Sequence, residues 1–176
     1  MQFEPLFLQG AWRITAAPSV DARGSFVRLF DKALFAKQGL ETDFFQQVVS
    51  SNTQRGTVRG LHFQAPPHGE VKLLRCTRGS IYDVMVDMRP DSPTYLQHFA
   101  ATLHADAPVM LYLPAGVAHG FMTLQDDSEI EYHITQPYIE TLQQGVRWND
   151  PKFGIEWPGE MQVISSRDAS FPDWLL

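Results

Sequence analysis

Nine short apolar or alternating segments recur along the chain, and turn sequences such as Arg78-Gly79, Pro114-Ala115-Gly116 and Asp126-Asp127 separate several of them. Short strands at near-regular spacing are typical of an antiparallel sandwich or barrel. A jelly roll is the variety that accommodates about nine strands in one domain. The predicted strand segments are 26–30, 44–49, 57–63, 71–76, 81–88, 95–103, 109–113, 117–124 and 129–135.

One segment, from Asp31 to Gln38, has the pattern of a helix. Asp31 is a suitable N-cap, the next residues include good helix formers, and Gly39 is placed to end the helix. The chain lacks the alternating β/α units and the glycine-rich phosphate loops of doubly wound nucleotide folds. We therefore expect an all-β jelly roll with one or two short helices, formed as a single domain by residues 1–176.

Charge and cysteine content limit the partners and the compartment. Fourteen Lys and Arg against twenty Asp and Glu give a net charge of −6, which argues against a nucleic-acid partner. The single cysteine, Cys76, cannot form an internal disulfide, which favours a reducing compartment. There is no secretory signal pattern and no apolar run approaching the ~18 residues of a membrane span. We expect a cytoplasmic protein without a membrane partner, in which a local cluster of Arg and Lys meets any anionic ligand.

Three ionisable side chains lie on otherwise apolar strand faces. The two-residue period of a strand puts Tyr132 on the same face as Ile130 and Ile134, and the same counting puts Lys72 and His119 among apolar neighbours. A buried lysine is costly because its ammonium loses hydration, so Lys72 is the most informative of the three. Each also has a structural explanation: a satisfied core histidine, an interior tyrosine with a bonded hydroxyl, or a lysine that extends its amine to solvent.

A further candidate pair, Arg59 and His62, lies in one predicted strand but has opposite parity. On a regular strand the two side chains cannot both face inward. A bulge at Gly60 between them would bring both to the same face.

Six motifs occur in a fixed order, including Arg59-Gly60-Leu61-His62 and the segment from Leu113 to Phe121. The set is 56–64, 72–76, 83–87, 91–94, 113–121 and 148–151. Together they resemble the dTDP-4-dehydrorhamnose 3,5-epimerase family over almost the whole chain. Any one motif alone would be weak, since Pro114-x-Gly116-x-x-His119 is shared by the wider cupin class.

The resemblance implies a cupin-type jelly roll, usually a homodimer, that acts in deoxysugar biosynthesis. It inverts C3, C5 or both in a nucleotide-linked 4-keto-6-deoxyhexose, without cofactor or metal. The residues that match the family's catalytic positions are His62 as the base, Asp168 as the carboxylate that holds it, Lys72 and Tyr132.

These residue types suit the chemistry. A proton next to a ketone is weakly acidic, so its removal needs a positioned base and a group that stabilises the enolate oxygen. His62 can act as that base near neutral pH, while Asp168 fixes its tautomer. Lys72 can place a cation at the O4 enolate, and Tyr132 on a facing strand can return a proton to the opposite face.

The expected substrate-binding residues include two arginines, Arg23 and Arg59, that would neutralise the diphosphate. Arg28 stands where the family usually has an acidic residue, and Gln47-Val48-Val49 stands in place of a common Gln-Asp-Asn stretch. Both departures leave the nucleotide open among dTDP, CDP and GDP, and the family includes enzymes that invert only one centre. The full expected set is Arg23, Arg28, Gln47, Arg59, His119 and Tyr138.

Three alternatives remain from the sequence. A metal-dependent cupin would use His62, His68, Glu70 and His119 as ligands, although the usual His-x-His of the first cupin motif is absent at His62-Phe63-Gln64. A sugar- or nucleotide-binding module could retain the barrel without catalysis. The third alternative is a related enzyme, a 3,4-ketoisomerase.

Overall fold

The computed structural model describes residues 1–174 and consists mainly of short strands. Two α-helices, α1 (Lys32–Lys37) and α2 (Ser166–Ala169), and one 3₁₀ turn at Glu140–Leu142 accompany them. The strands are β1 (Gln2–Pro5), β2 (Trp12–Thr15), β3 (Ser19–Asp21), β4 (Gly24–Phe26), β5 (Gln46–Asn52), β6 (Thr57–Gln64), β7 (Lys72–Arg78), β8 (Ser80–Asp87), β9 (His98–His104), β10 (Val109–Leu113), β11 (Val117–Thr123), β12 (Ser128–Ile134), β13 (Gln143–Gly145) and β14 (Val163–Ile164).

Two antiparallel sheets form the all-β jelly roll. The first sheet has the order β1-β2-β10-β7-β12-β5, and the second has the order β13-β6-β11-β8-β9. Strand β14 pairs with β6 in parallel, and β3 with β4 forms a separate two-stranded ribbon. None of the helices in the described part of the chain is long and apolar enough to cross a membrane.

The core lies between the sheets, and both outer faces are also covered. Between the sheets, Leu74 and Leu111 of the first sheet belong to one cluster with Met85 and Phe121 of the second. Phe35 of α1 packs on the outer face of the first sheet, while the 146–157 region covers the second. Burial on both faces explains why β11 is buried at every position and shows no polar alternation.

All but one of the predicted strand segments are largely strand in the structure. The exception is 26–30, because β4 ends at Phe26 and the following apolar residues pack as irregular chain around α1. The helix prediction is confirmed: Asp31 accepts hydrogen bonds from the N–H groups of Ala33 and Leu34, and Gly39 follows the helix with φ +72°. Strands β1, β2, β3, β13 and β14 were not predicted, and β4 meets a predicted segment only at Phe26.

The predicted irregularity at Gly60 is present. His62 pairs with His119, but Arg59 pairs with Phe121, so three steps along β6 match two along β11. Gly60 has φ +120°, and a Cβ there would lie 2.7 Å from the carbonyl oxygen of His119. Only glycine fits, and the bulge turns Arg59 and His62 to the same face.

Candidate active site

A cavity of about 310 Å³ opens between the two sheets. Lys72 and Tyr132 line it from the first sheet, and Arg59, His62 and His119 line it from the second. The structure therefore brings together the three ionisable side chains that strand parity predicted to face inward. Arg59 and His62, on either side of the Gly60 bulge, line the same cavity. Tyr138 lines the same cavity from the loop after β12.

His62 is held by Asp168, which comes from α2. The Nε2 of His62 lies 2.8 Å from Oδ1 of Asp168, and the N–H of Gly60 donates to Oδ2 at 3.0 Å. Burial alone would raise the pKa of Asp168, but hydrogen bonds from His62 and Gly60 outweigh it and hold the pKa below its usual value. An ionised carboxylate therefore faces the imidazole, which leaves Nδ1 as the ring nitrogen free to act as a base.

A serine N-cap at the start of helix α2 helps to place Asp168. Ser165 is the N-cap, and its Oγ accepts from the N–H of Asp168 at 3.1 Å. Three residues after a serine cap, an acidic side chain often bonds back to the cap. Here the Asp168 carboxylate turns instead to His62 and Gly60. Phe171 then packs edge-on against the His62 ring, with centroids 5.8 Å apart.

Lys72 has an anionic neighbour in the cavity. Its Nζ lies 2.9 Å from Oε1 of Glu70, and each side chain is only one-tenth exposed. The ammonium also donates to the backbone carbonyl of His62 at 3.3 Å. Lys72 is thus a buried cation with a partner, and it is not a lysine that extends its amine to solvent.

Tyr132 and His119 contact each other inside the cavity. Their ring centroids are 5.7 Å apart in an edge-on arrangement. His119 Nε2 lies 2.7 Å from Oδ2 of Asp83, which is fully buried. Burial first, and the Asp83 charge second, raise the pKa of Tyr132 well above its usual value, while Arg59 opposes them. The phenol is therefore protonated at neutral pH.

Arg59 and Tyr138 are each steadied by an amide. The Nε of Arg59 donates to Oδ1 of Asn52 at 2.7 Å, and the hydroxyl of Tyr138 donates to Oε1 of Gln143 at 3.1 Å. Asn52 and Gln143 were not predicted, and neither belongs to a recognisable local pattern.

Three expected binding residues do not reach this cavity. Gln47 faces outward and bonds Glu131, because its register partner is His133 while Val48 is the partner of Tyr132. The parity of β5 therefore places Gln46 at the cavity in its stead. The ribbon that carries Arg23 joins neither sheet. On it, Arg23 is nine-tenths exposed and pairs with Asp21. Arg28 pairs with Asp31 at the start of α1.

A second recess of about 380 Å³ flanks the His62–Asp168 pair. Arg59 and Arg167 both line it, together with Ser165. Arg167 was not predicted as a site residue; it directly precedes Asp168, and a search for basic residues next to the matched carboxylate would have found it.

Three of the four ligands of the metal-dependent alternative have other side-chain partners. His62 bonds Asp168, His119 bonds Asp83 and Glu70 pairs with Lys72. Across residues 1–174, no group of three or more His, Cys, Asp or Glu side chains is arranged to hold a metal ion.

Fold and site together define a jelly-roll protein equipped for acid–base chemistry. A carboxylate-held histidine comes from one sheet, and a protonated tyrosine and a lysine come from the other. A ligand between the sheets would meet the base on one side and the acid on the other.

Comparison with known proteins identifies the group within that class. Residues 5–175 match the family model described as dTDP-4-dehydrorhamnose 3,5-epimerase. The chain belongs to this family, as the sequence motifs predicted. A dTDP-4-dehydrorhamnose 3,5-epimerase of Sinorhizobium fredii is 42% identical, over 98% of this chain and 89% of that protein.

Solved structures agree with this assignment. The epimerase of Bacillus anthracis, with TDP and PPi bound, superposes with a TM-score of 0.95 at 35% identity and covers 98% of this chain and 99% of that chain. ChmJ, a 3'-monoepimerase from Streptomyces bikiniensis, superposes at 0.90 with 30% identity, covering 97% and 86%. That ChmJ structure is a complex with dTDP of a double mutant, in which a histidine and a tyrosine are replaced.

Proposed function

We propose that this chain inverts C3 and C5 of a dTDP-linked 4-keto-6-deoxyhexose by removing and returning protons next to the C4 ketone. The observation that carries the proposal is the placement of His62 and Tyr132 on opposite sheets, around one cavity that Lys72 also lines. Inversion requires a base and an acid on opposite faces of a carbon, and this arrangement supplies both.

His62 takes the proton from the carbon next to the ketone. The Asp168 carboxylate stabilises the imidazolium that forms, and its bond to Nε2 keeps the basic Nδ1 toward the cavity. The electron pair moves to O4, where the ammonium of Lys72 stabilises the negative charge. No metal or cofactor takes part in this scheme.

Tyr132 completes the inversion. Its raised pKa keeps the phenol protonated until the enolate carbon accepts the proton on the face opposite His62. In the ChmJ double mutant, the replaced histidine and tyrosine are separated by the same number of residues as His62 and Tyr132, which supports this pairing of roles.

The dTDP group is the nucleotide that the relatives support. The Bacillus anthracis structure holds TDP, and the ChmJ structure holds dTDP. Arg59 and Arg167 beside the catalytic pair form the local cationic cluster that an acidic protein needs in order to bind a diphosphate.

We further propose that the protein is a homodimer in which Arg23 serves the partner's cavity. A two-stranded ribbon attached to neither sheet is marginally stable by itself. It exposes Val20 and Phe26 by about three-quarters, and the edge strand β5 exposes Val49. Packing the ribbon against β5 of a second copy would cover these side chains and bring Arg23 near a cavity that it does not reach in its own chain.

The catalytic proposal is tested by following solvent deuterium into the sugar. The wild-type protein with the dTDP-linked 4-keto-6-deoxyglucose should incorporate deuterium at C3 and C5, as read by proton NMR. Incorporation at C3 alone would assign it to the monoepimerases. His62→Asn should lower exchange by ~10²–10⁴ while the fold is retained. Unchanged exchange in His62→Asn would show that another group is the base.

The dimer proposal is tested by mixing inactive variants. Arg23→Ala and His62→Asn subunits, unfolded and refolded together, should regain about a quarter of wild-type activity, because half of the dimers are mixed and each has one intact site. A mixture as inactive as its components would place Arg23 in its own chain's site, and a fully active Arg23→Ala protein would place it outside any site. The single-domain organisation and the cytoplasmic location stay predictions from the sequence.

A further inference from the structure

Glu70 brings a negative charge into a cavity whose reaction builds up negative charge. Its carboxylate and the Lys72 ammonium are 2.9 Å apart, both line the cavity, and both side chains are one-tenth exposed. A buried carboxylate costs free energy even when paired, and at this place it also lessens the positive field at the substrate. Such a group needs a compensating role.

The backbone is held by a side-chain hydrogen bond on each side of Glu70. Gln64 donates to the carbonyl of His68 at 2.6 Å, and its Oε1 accepts from the N–H of Ile139. On the other side of Glu70, the N–H of Val71 donates to Oγ1 of Thr135 at 3.0 Å. The loop between β6 and β7 therefore presents the Glu70 carboxylate from a fixed position.

The ammonium of Lys72 has three N–H donors and no acceptor. One donor is directed to Glu70 at 2.9 Å, and a second to the backbone carbonyl of His62 at 3.3 Å. Holding two of the three protons on fixed acceptors determines the direction of the third. The second acceptor is the backbone carbonyl of His62, so the direction of the third N–H is fixed relative to the residue that acts as the base.

We propose that Glu70 is a positioning residue that orients the free N–H of Lys72 toward the O4 oxygen of the substrate. The proposal rests on the proposed function, because O4 becomes an acceptor of full charge only when His62 removes the neighbouring proton. The geometry is set before the charge appears, which is how a preorganised donor stabilises a transition state more than a ground state. Glu70 acts through the length of its side chain and the position of its acceptor oxygen more than through its net charge.

Two conservative variants separate reach from charge. Glu70→Asp keeps the charge and shortens the side chain by one methylene, which withdraws the acceptor from Lys72. It should lower kcat ~10-fold and leave KM within ~2-fold, since misplacement of a group by about 1 Å costs up to ~10²-fold. Glu70→Gln keeps the reach and an acceptor oxygen, and should retain kcat within ~3-fold. Glu70→Gln falling as far as Glu70→Asp, or a change in KM alone, would overturn the proposal.

The Lys72→Met background shows whether Glu70 acts through Lys72. If it does, Glu70→Asp and Glu70→Gln should change the residual rate of deuterium exchange by less than ~2-fold in that background. If the rate of exchange fell as much in Lys72→Met as it does in protein that retains Lys72, Glu70 would have an independent role and the positioning proposal would be overturned.

A matched control is Asp43→Ala, which breaks the exposed Lys32–Asp43 ion pair outside the cavity and should leave kcat unchanged. Thermal unfolding of each variant confirms that the measured rates belong to folded protein. The two proposals fail differently: a wild-type protein without epimerase activity refutes the proposed function, whereas an active wild type with an equally active Glu70→Asp refutes positioning alone.

Discussion

Two carboxylates on the inner face of β8, Asp83 and Asp87, are both fully buried and yet have opposite surroundings. Asp87 accepts hydrogen bonds from Arg89, Ser92 and Thr94, so both of its oxygens are satisfied. Asp83 bonds only His119, and its Oδ1 has no hydrogen-bond partner within residues 1–174.

The difference separates a structural carboxylate from one that belongs to the site. The Asp87 network locks the turn after β8, and Arg89 extends it to the carbonyl of Gln9. Asp83 supports a histidine that lines the cavity and contacts Tyr132. A buried acid with an incomplete set of partners costs stability, and that cost is typical of functional sites. We expect changes near Asp83 to alter activity and changes near Asp87 to alter stability.

Among changes near Asp83, Tyr132→Phe should have the largest effect. Phenylalanine preserves the packing against His119 but lacks the proton that the acid delivers, so the enolate is reprotonated mainly by His62 on its original face. Inverted product should fall ~10²-fold or more, while deuterium exchange persists and the melting temperature changes little. Proton NMR measures both quantities in one sample. Inverted product at the wild-type rate would show that another acid acts.

Asp87→Asn should produce the converse result. Asparagine cannot accept all the donors that converge on this site, and it leaves the Arg89 guanidinium without its buried partner. The free energy of unfolding should fall by about 3 kcal/mol. Measured by denaturant titration, this loss should accompany an unchanged kcat per folded molecule. A loss of kcat with unchanged stability would erase the distinction between Asp83 and Asp87.

The placement of the cavity residues shows what local sequence can determine. Lys72, His119 and Tyr132 were placed correctly because a two-residue period needs no knowledge of distant chain. Arg59 and His62 were reconciled through the bulge at Gly60, since a glycine within a strand is itself a signal. The family resemblance extended this to Asp168, which lies 106 residues from His62 and which no local pattern could pair with it.

The predicted residues that lie outside this chain's cavity, and the strands that were not predicted, depend on distant parts of the chain. Gln47 was expected at the cavity, but its direction depends on the register between β5 and β12, which a short sequence pattern does not determine. Arg23 lies on a ribbon that joins neither sheet, so the strand patterns of the two sheets do not determine where it lies. Strands β1 and β2 are short, and β2 pairs with β10 from far along the chain, so their sequence contains little evidence of pairing.

Acid unfolding should sharpen the contrast at Asp87. Burial alone would raise its pKa, but the hydrogen bonds from Arg89, Ser92 and Thr94 lower the pKa to about 2. Because the folded value lies below the unfolded one, the unfolded chain takes up the proton first as the pH falls. The resulting stabilisation of about 2 kcal/mol is complete above roughly pH 4 and is lost as the pH approaches 2. In denaturant titrations across this range, Asp87→Asn should show a correspondingly flatter loss of stability.

The smallest effect, and the most direct test of the comparison, should come from Asp83→Asn. The amide oxygen can still accept from His119, so the ring keeps its place while the buried charge is removed. Since the Asp83 Oδ1 has no partner within residues 1–174, neutralising the carboxylate should change the free energy of unfolding by less than ~1 kcal/mol. The rate of inversion should fall ~10-fold, because His119 no longer bonds an ionised group and its hold on the Tyr132 ring loosens. Steady-state kinetics and denaturant titration on the same preparation measure the two quantities. A destabilisation equal to that of Asp87→Asn, with kcat unchanged, would show that Asp83 is structural as well and that incomplete hydrogen bonding does not mark function in this sheet.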